Sequence, residues 1–246
     1  MELDQLLDEL RSQGELLAQS AGHANLADTI PSCPGWTIAS AMGHTAKVHR
    51  WAAWVVRGGD PAGFDYERPE PALLESEYRA GLADLLLALR QAPDSLDVHT
   101  FWPSKSPRLF WARRQAHETA IHRVDVQLGA GYGVTDFEAD FAADGIDELL
   151  MGMAPNAFST IEVAAPQTIA LTPLDANISW TVRIAPDGTA TRRGADDHAD
   201  LSVFGLASDL YRWVWNRAAD HEVSLRGDVT LADRWRSNFT VGARPR

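Results

Sequence analysis

The chain has 246 residues, 45% hydrophobic and 23% charged, enough to bury a sizeable core and to divide into two domains. Its 34 Asp and Glu outnumber its 22 Lys and Arg, and the formal charge of -12 repels a phosphate backbone, which argues against a nucleic-acid partner. Cys33 is the single cysteine, so no intrachain disulfide forms, and no stretch is long and apolar enough to span a bilayer; a cytoplasmic protein with no membrane partner is expected.

The N-terminus, MELDQLLDELR, opens an amphipathic pattern rather than a secretory signal. A first helix is predicted from about Leu3 to Ser20, with Leu6, Leu7, Leu10 and Leu17 forming one stripe. A second follows the turn Pro31 to Trp36, begins near Thr37 and ends before Gly58 and Gly59; its apolar positions include Ile38, Met42, Trp51, Val55 and Val56. A third covers roughly Ala72 to Gln91 and a fourth about Leu109 to Leu128, followed by Gly129. A fifth, around Glu138 to Met153, carries Ile146, Leu149 and Leu150 as a buried strip despite Gly145. Four long helices favour an all-α four-helix bundle. The long connection from Pro93 to Arg108 is aromatic, and Phe101 and Trp102, with Trp111 beyond it, either line a cleft or cover the bundle end.

Beyond residue 158 the texture changes to β-branched residues and short alternations, so the boundary is placed at 154–159, with a bundle domain over 1–155 and a smaller α+β domain over 159–246. Strands are expected at Ile161 to Ala165, Thr168 to Pro173 and Ile178 to Ala185, with a turn at Pro186 to Gly188. The run from Asp200 to Arg217 starts as a strand and becomes a helix with Ser208 or Asp209 in its first turn. His221 to Asp228 reads as a strand and Val229 to Phe239 as a final helix.

The chemistry concentrates in WARRQAHETAIHRVD, from Trp111 to Asp125. Glu118 and His122 are four residues apart and share a helix face, and His44 on the second helix can meet them across a bundle core. One carboxylate and two imidazoles suit Zn²⁺ or another borderline divalent metal, and three protein ligands leave room for water or substrate. An i,i+4 Glu/His pair is equally met as a surface hydrogen bond. His117 falls on a different face, and the spacing from His117 to His122 departs from the zinc-protease HExxH motif, so that motif's catalytic base is not transferred. Asp125, three positions beyond His122, either orients an imidazole or is a solvent-facing charge. His49 competes with His44 from another face of the same helix, His23, His198 and His221 sit in weaker contexts, and Cys33, lacking an adjacent base, reads as buried rather than nucleophilic.

The run SCPGWTIASAMGH, from Ser32 to His44, together with the Trp111 to Asp125 run, resembles the N-terminal signatures of the mycothiol-dependent maleylpyruvate isomerase family, within the broader DinB-like metal-binding helical group. ASDLYRWVWNR, from Ala207 to Arg217, and LRGD, from Leu225 to Asp228, resemble the family's smaller C-terminal domain. The resemblance implies a divalent metal on His44, Glu118 and His122, mycothiol as a low-molecular-weight thiol, and a small unsaturated or carboxylated substrate that is isomerised or modified by the thiol. It also implies a catalytic role for Arg217, whose guanidinium clamps a carboxylate or stabilises an enolate, although the neighbouring Arg212 offers the same charge. The alternative is a non-catalytic, metal-containing sensor or carrier of a small ligand.

Overall fold

The computed structural model describes residues 1–154 and 163–238. The chain separates into two compact units, Met1–Thr135 and Asp136–Arg246. Among the described residues no helix is long and apolar enough to cross a membrane.

The first unit is a bundle of four helices, α1 (Leu3–Gly22), α2 (Ile38–Val56), α3 (Leu74–Gln91) and α4 (Pro107–Gly129). Helix α1 lies along α4 and α2 along α3, with α2 also against α4. The predicted Leu6, Leu7, Leu10 and Leu17 stripe is buried, as are Ile38, Met42, Val55 and Val56, while Trp51 is half-buried. Small side chains thin the buried side of α2: Ala41, Ala46, Ala52 and Ala53 are all inaccessible to solvent, so neighbouring helices approach its backbone closely.

Capping sets the starts of the two helices that carry the candidate ligands. The Thr37 side chain accepts from the Ser40 amide at 3.2 Å at the start of α2. Helix α4 starts at Pro107, slightly earlier than periodicity predicted, because Pro supplies a helix-ready φ at a position needing no amide and Ser106 caps it. Helix α3 starts at Leu74, after a short 3-10 turn at Pro71–Leu73.

The aromatic connection before α4 packs upon itself. Phe101 stacks on Trp51 and meets Trp111 edge-on, Trp102 meets Phe110 at 4.8 Å, and Trp111, fully buried, donates from Nε1 to the His99 carbonyl at 2.9 Å. These contacts fit the covering role of the two weighed from sequence.

The second unit is α+β. Helix α5 (Ala139–Asp147) runs into a π-helical turn at Glu148–Met153. A mixed five-stranded sheet follows: β1 (Gln167–Pro173), β2 (Trp180–Ala185), β3 (Gly188–Arg193), β4 (Leu201–Gly205) and β5 (Ser224–Gly227), ordered β3-β2-β1-β4-β5. Among the described residues only β1 and β4 pair in parallel, with Ile169 opposite Leu201; the other pairs are antiparallel. Helix α6 (Ala207–Val214) follows β4, and α7 (Thr230–Asn238) follows β5. Helices α5 and α6 pack together, with Phe137, Phe141 and Tyr211 in mutual contact and the Phe137 amide donating to Ser208 Oγ at 3.1 Å.

Several expectations change here. The fifth helix, assigned from sequence to the bundle, falls in the second unit, where α5 packs on α6 with Phe141 against Tyr211, a contact between distant segments that helical periodicity cannot reveal. The boundary expected at 154–159 and the first two residues of the strand expected from Ile161 lie outside the described residues, apart from Ala154, and 163–165 are not a strand. The strand read from His221 is shorter, because Asp220–Glu222 forms a 3-10 turn before β5. Beyond the turn at Pro186 to Gly188, β3 completes a hairpin with β2.

Candidate metal centre

Helices α2 and α4 bring His44, Glu118 and His122 together, as the spacing predicted, within the first unit. The closest donor atoms of the three lie within 4.8 Å of one another. His44 Nε2 is 3.1 Å and His122 Nε2 3.3 Å from the same oxygen, Glu118 Oε1. A tetrahedral ion with bonds of ~2.0–2.1 Å needs ligand separations of roughly 3.3–3.4 Å, so two imidazole nitrogens and one carboxylate oxygen converge at nearly the spacing such an ion requires. The side chains of His122, Glu118 and His44 are 12%, 23% and 37% exposed, so the cluster is reachable from solvent rather than sealed, as a site with an open coordination position demands.

Electrostatics favour charged partners. Burial pushes the Glu118 carboxyl upward, but hydrogen bonds to His122 and His44 and the charges of His122 and Arg114 overcome it and hold Glu118 well below the usual carboxylate range. Arg114, one turn earlier on α4, places a guanidinium nitrogen 3.3 Å from Glu118 Oε2. For His122, burial opposes protonation, yet hydrogen bonds to Asp125 and Glu118 raise it to about 9. Without a metal, His122 is therefore an imidazolium held between two carboxylates at neutral pH.

Asp125 is fully buried, not the solvent-facing charge weighed as its second reading. Its Oδ2 lies 3.0 Å from His122 Nδ1, and its Oδ1 accepts from Ser32 Oγ at 2.6 Å. Ser32 belongs to a tight loop in which the Ile30 amide donates to the Trp36 carbonyl at 3.0 Å and the Trp36 amide to the Cys33 carbonyl at 2.9 Å. Gly35 supplies the positive φ of 85° this turn requires. Gly129, at the end of α4, lets the loop approach: a Cβ there would stand 3.0 Å from Ile30 Cγ1. The loop thereby lays the Trp36 indole flat against His122, with ring centroids 5.7 Å apart, and at a tilt 5.1 Å from His44. Trp36 was legible only as part of a motif; no spacing rule from sequence marks an aromatic wall.

His49, the competing histidine, points elsewhere. It is fully buried, and its Nε2 lies 2.8 Å from Thr119 Oγ1, which itself donates to the Gln115 carbonyl at 2.7 Å. The Thr119 proton is thus used, which makes His49 Nε2 the donor. Burial, only partly offset by the Glu118 charge, lowers His49 to about 3, so it is neutral. His117 is buried outside the trio, as expected. Cys33 is half-buried rather than buried, with Sγ 3.4 Å from Asp125 Oδ2. A carboxylate there disfavours a thiolate.

Arg217 lies in the second unit, just beyond α6. Its guanidinium is half-buried and donates to the Trp215 carbonyl at 2.6 Å, and it follows Asn216, which adopts a left-handed φ of 61°. Arg212, the alternative cation, is committed to Asp209 at 2.5 Å and Glu222 at 2.8 Å.

A four-helix bundle bearing a solvent-reachable His/Glu/His cluster, joined in one chain to a mixed-sheet α+β unit, defines a two-domain protein with a candidate metal site. Residues 7–127 match the mycothiol maleylpyruvate isomerase N-terminal domain and residues 140–234 the C-terminal domain of the same family, and the chain belongs to that family. In fold it is similar to the crystal structure of the mycothiol-dependent maleylpyruvate isomerase, with TM-score 0.64, 17% identity, and 92% of this chain and 93% of that chain covered. A histidine-to-alanine mutant of that isomerase gives TM-score 0.66 at 16% identity with the same coverage. No curated protein sequence matches the chain.

Proposed function

We propose that the protein is a divalent-metal- and thiol-dependent enzyme that isomerises, or joins to a thiol, a small unsaturated carboxylated substrate. The observation that carries this reading is the convergence of His44, Glu118 and His122 at ligand spacing on a surface solvent reaches. Membership of the mycothiol maleylpyruvate isomerase family supports mycothiol as the thiol and isomerisation or thiol transfer as the reaction class. Zn²⁺ suits the donor set best. When bound, such an ion lowers the pKa of a coordinated thiol and orients it.

The residues then have distinct tasks. His44, Glu118 and His122 hold the ion. Trp36 walls one side of the two imidazoles and limits water there. Arg217 steadies the substrate carboxylate, as the family resemblance implies, with Arg212 the alternative cation. A thiolate adding to the activated double bond leaves enolate charge; rotation about the former double bond and expulsion of the thiolate give the isomer. If a different leaving group departs, or if nothing departs and the enolate carbon takes a proton from water, the product is a stable thioether.

The test is to incubate Zn²⁺-loaded protein with mycothiol and a panel of unsaturated acids and other electrophiles, followed by mass analysis. Isomerised acid with free thiol recovered identifies an isomerase, and a stable thioether identifies a transferase. Neither product across a broad panel contradicts the enzyme reading.

A further inference from the structure

Asp125 joins two parts of the first unit that the metal reading treats separately. On α4, three residues beyond His122, it is fully buried, and its carboxylate is divided between a ligand and a loop. Oδ2 lies 3.0 Å from His122 Nδ1 and 3.4 Å from Cys33 Sγ, while Oδ1 accepts from Ser32 Oγ at 2.6 Å. A carboxylate offers about four acceptor positions, so it can hold all three donors at once. Ser32 and Cys33 begin the loop whose Trp36 lies against His122 and His44.

We propose that Asp125 is a positioning residue that couples the Ser32 to Trp36 loop to the metal-facing nitrogen of His122. By accepting the Nδ1–H hydrogen bond it leaves Nε2 as the coordinating atom and fixes the ring plane; by accepting from the Ser32 hydroxyl it fixes the loop that places Trp36 on that ring. Whatever holds His122 therefore holds the loop, so occupation of the site tightens the indole wall already resting on that ring. This rests on the metal reading above.

The test combines Zn²⁺ competition titration with hydrogen exchange at the Cys33 and Trp36 amides, which bond to the Ile30 and Cys33 carbonyls at 3.1 and 2.9 Å. In the wild-type chain Zn²⁺ is expected to slow exchange at both. Asp125→Ala is expected to weaken Zn²⁺ about 10–100-fold, the usual cost of losing such a partner, and to abolish the metal-linked slowing at saturating Zn²⁺. Ser32→Ala keeps the Asp125 to His122 bond, so it should retain near-wild-type Zn²⁺ affinity while losing the slowing, a split that general destabilisation does not produce. Should Asp125→Ala fail to fold, Asp125→Asn preserves the shape without the charge and is expected to bind Zn²⁺ more weakly. Wild-type affinity in the folded Asp125 variants, or loop amides in the wild type that ignore Zn²⁺, overturns the proposal. A wild-type chain that takes up no Zn²⁺ overturns the metal reading itself and the proposal with it, so the two failures are told apart.

Discussion

Metal uptake should depend steeply on pH, because the metal-free cluster holds a proton where the ion must bind. His122 is raised from 6.5 to about 9 by Asp125 and Glu118 acting against burial, and coordination through Nε2 requires the neutral ring. pH 7 lies two units below that value, so only about 1% of His122 is neutral and affinity is reduced roughly 100-fold relative to the deprotonated site. Affinity should therefore rise about ten-fold per pH unit from 7 and flatten near 9. The same shift has the opposite sign for the metal-free fold: a raised histidine stabilises fully below 6.5, and that contribution is lost as pH rises through about 9, so the melting temperature of the metal-free protein should fall across this window. The assay is competition against a chromophoric chelator between pH 6.5 and 9.5, corrected for the chelator's own protonation. Glu118→Gln removes one of the two raising partners and should show the melting transition shift over a lower pH range. A wild-type affinity that stays flat from pH 7 to 9 refutes the reasoning.

Other substitutions separate the ligands from their neighbours. His49→Phe should leave metal stoichiometry unchanged, since His49 faces Thr119, and cost about 1 kcal/mol by denaturant unfolding, because Thr119 keeps its bond to the Gln115 carbonyl. Thr37→Ala, which removes the cap of the helix carrying His44, should destabilise by about 1 kcal/mol in the same measurement. Leu210→Ala, at a fully buried position of α6, should cost roughly 2–5 kcal/mol by thermal or denaturant unfolding. Arg217→Ala should retain the metal yet lower kcat/KM for a carboxylated substrate at least ten-fold, with Arg217→Lys recovering part of it; equal kcat/KM in all three proteins removes Arg217 from the proposed chemistry.

How much was legible in the sequence differs from element to element. The bundle was readable because its helices bury one stripe each: Leu6, Leu7, Leu10 and Leu17 repeat at helical spacing, and all are buried. The ligand trio was readable because Glu118 and His122 are one turn apart and a second conspicuous histidine stands on another predicted helix. Spacing put His44 ahead of His49 but left His49 a competitor on the same helix, and the family resemblance strengthened the choice; that His49 turns towards Thr119 is set by packing. Strand β3 escaped because its sequence, Gly188 to Arg193, is largely exposed and lacks the apolar alternation of a half-buried strand. The grouping of α5 with the second unit escaped for a different reason: it depends on Phe141 meeting Tyr211, about seventy positions away, and no local pattern encodes a partner at that distance. The Asp125 link to Ser32 is of the same kind, spanning 93 positions.

The central claim is that His44, Glu118 and His122 form one divalent-metal site. Metal analysis of the purified chain after equilibration with Zn²⁺ and removal of free ion, alongside His44→Ala, Glu118→Ala and His122→Ala, tests it most directly. The account predicts about one ion per chain in the wild type and a sharp loss of retained metal in each variant; unchanged stoichiometry in all three variants contradicts it.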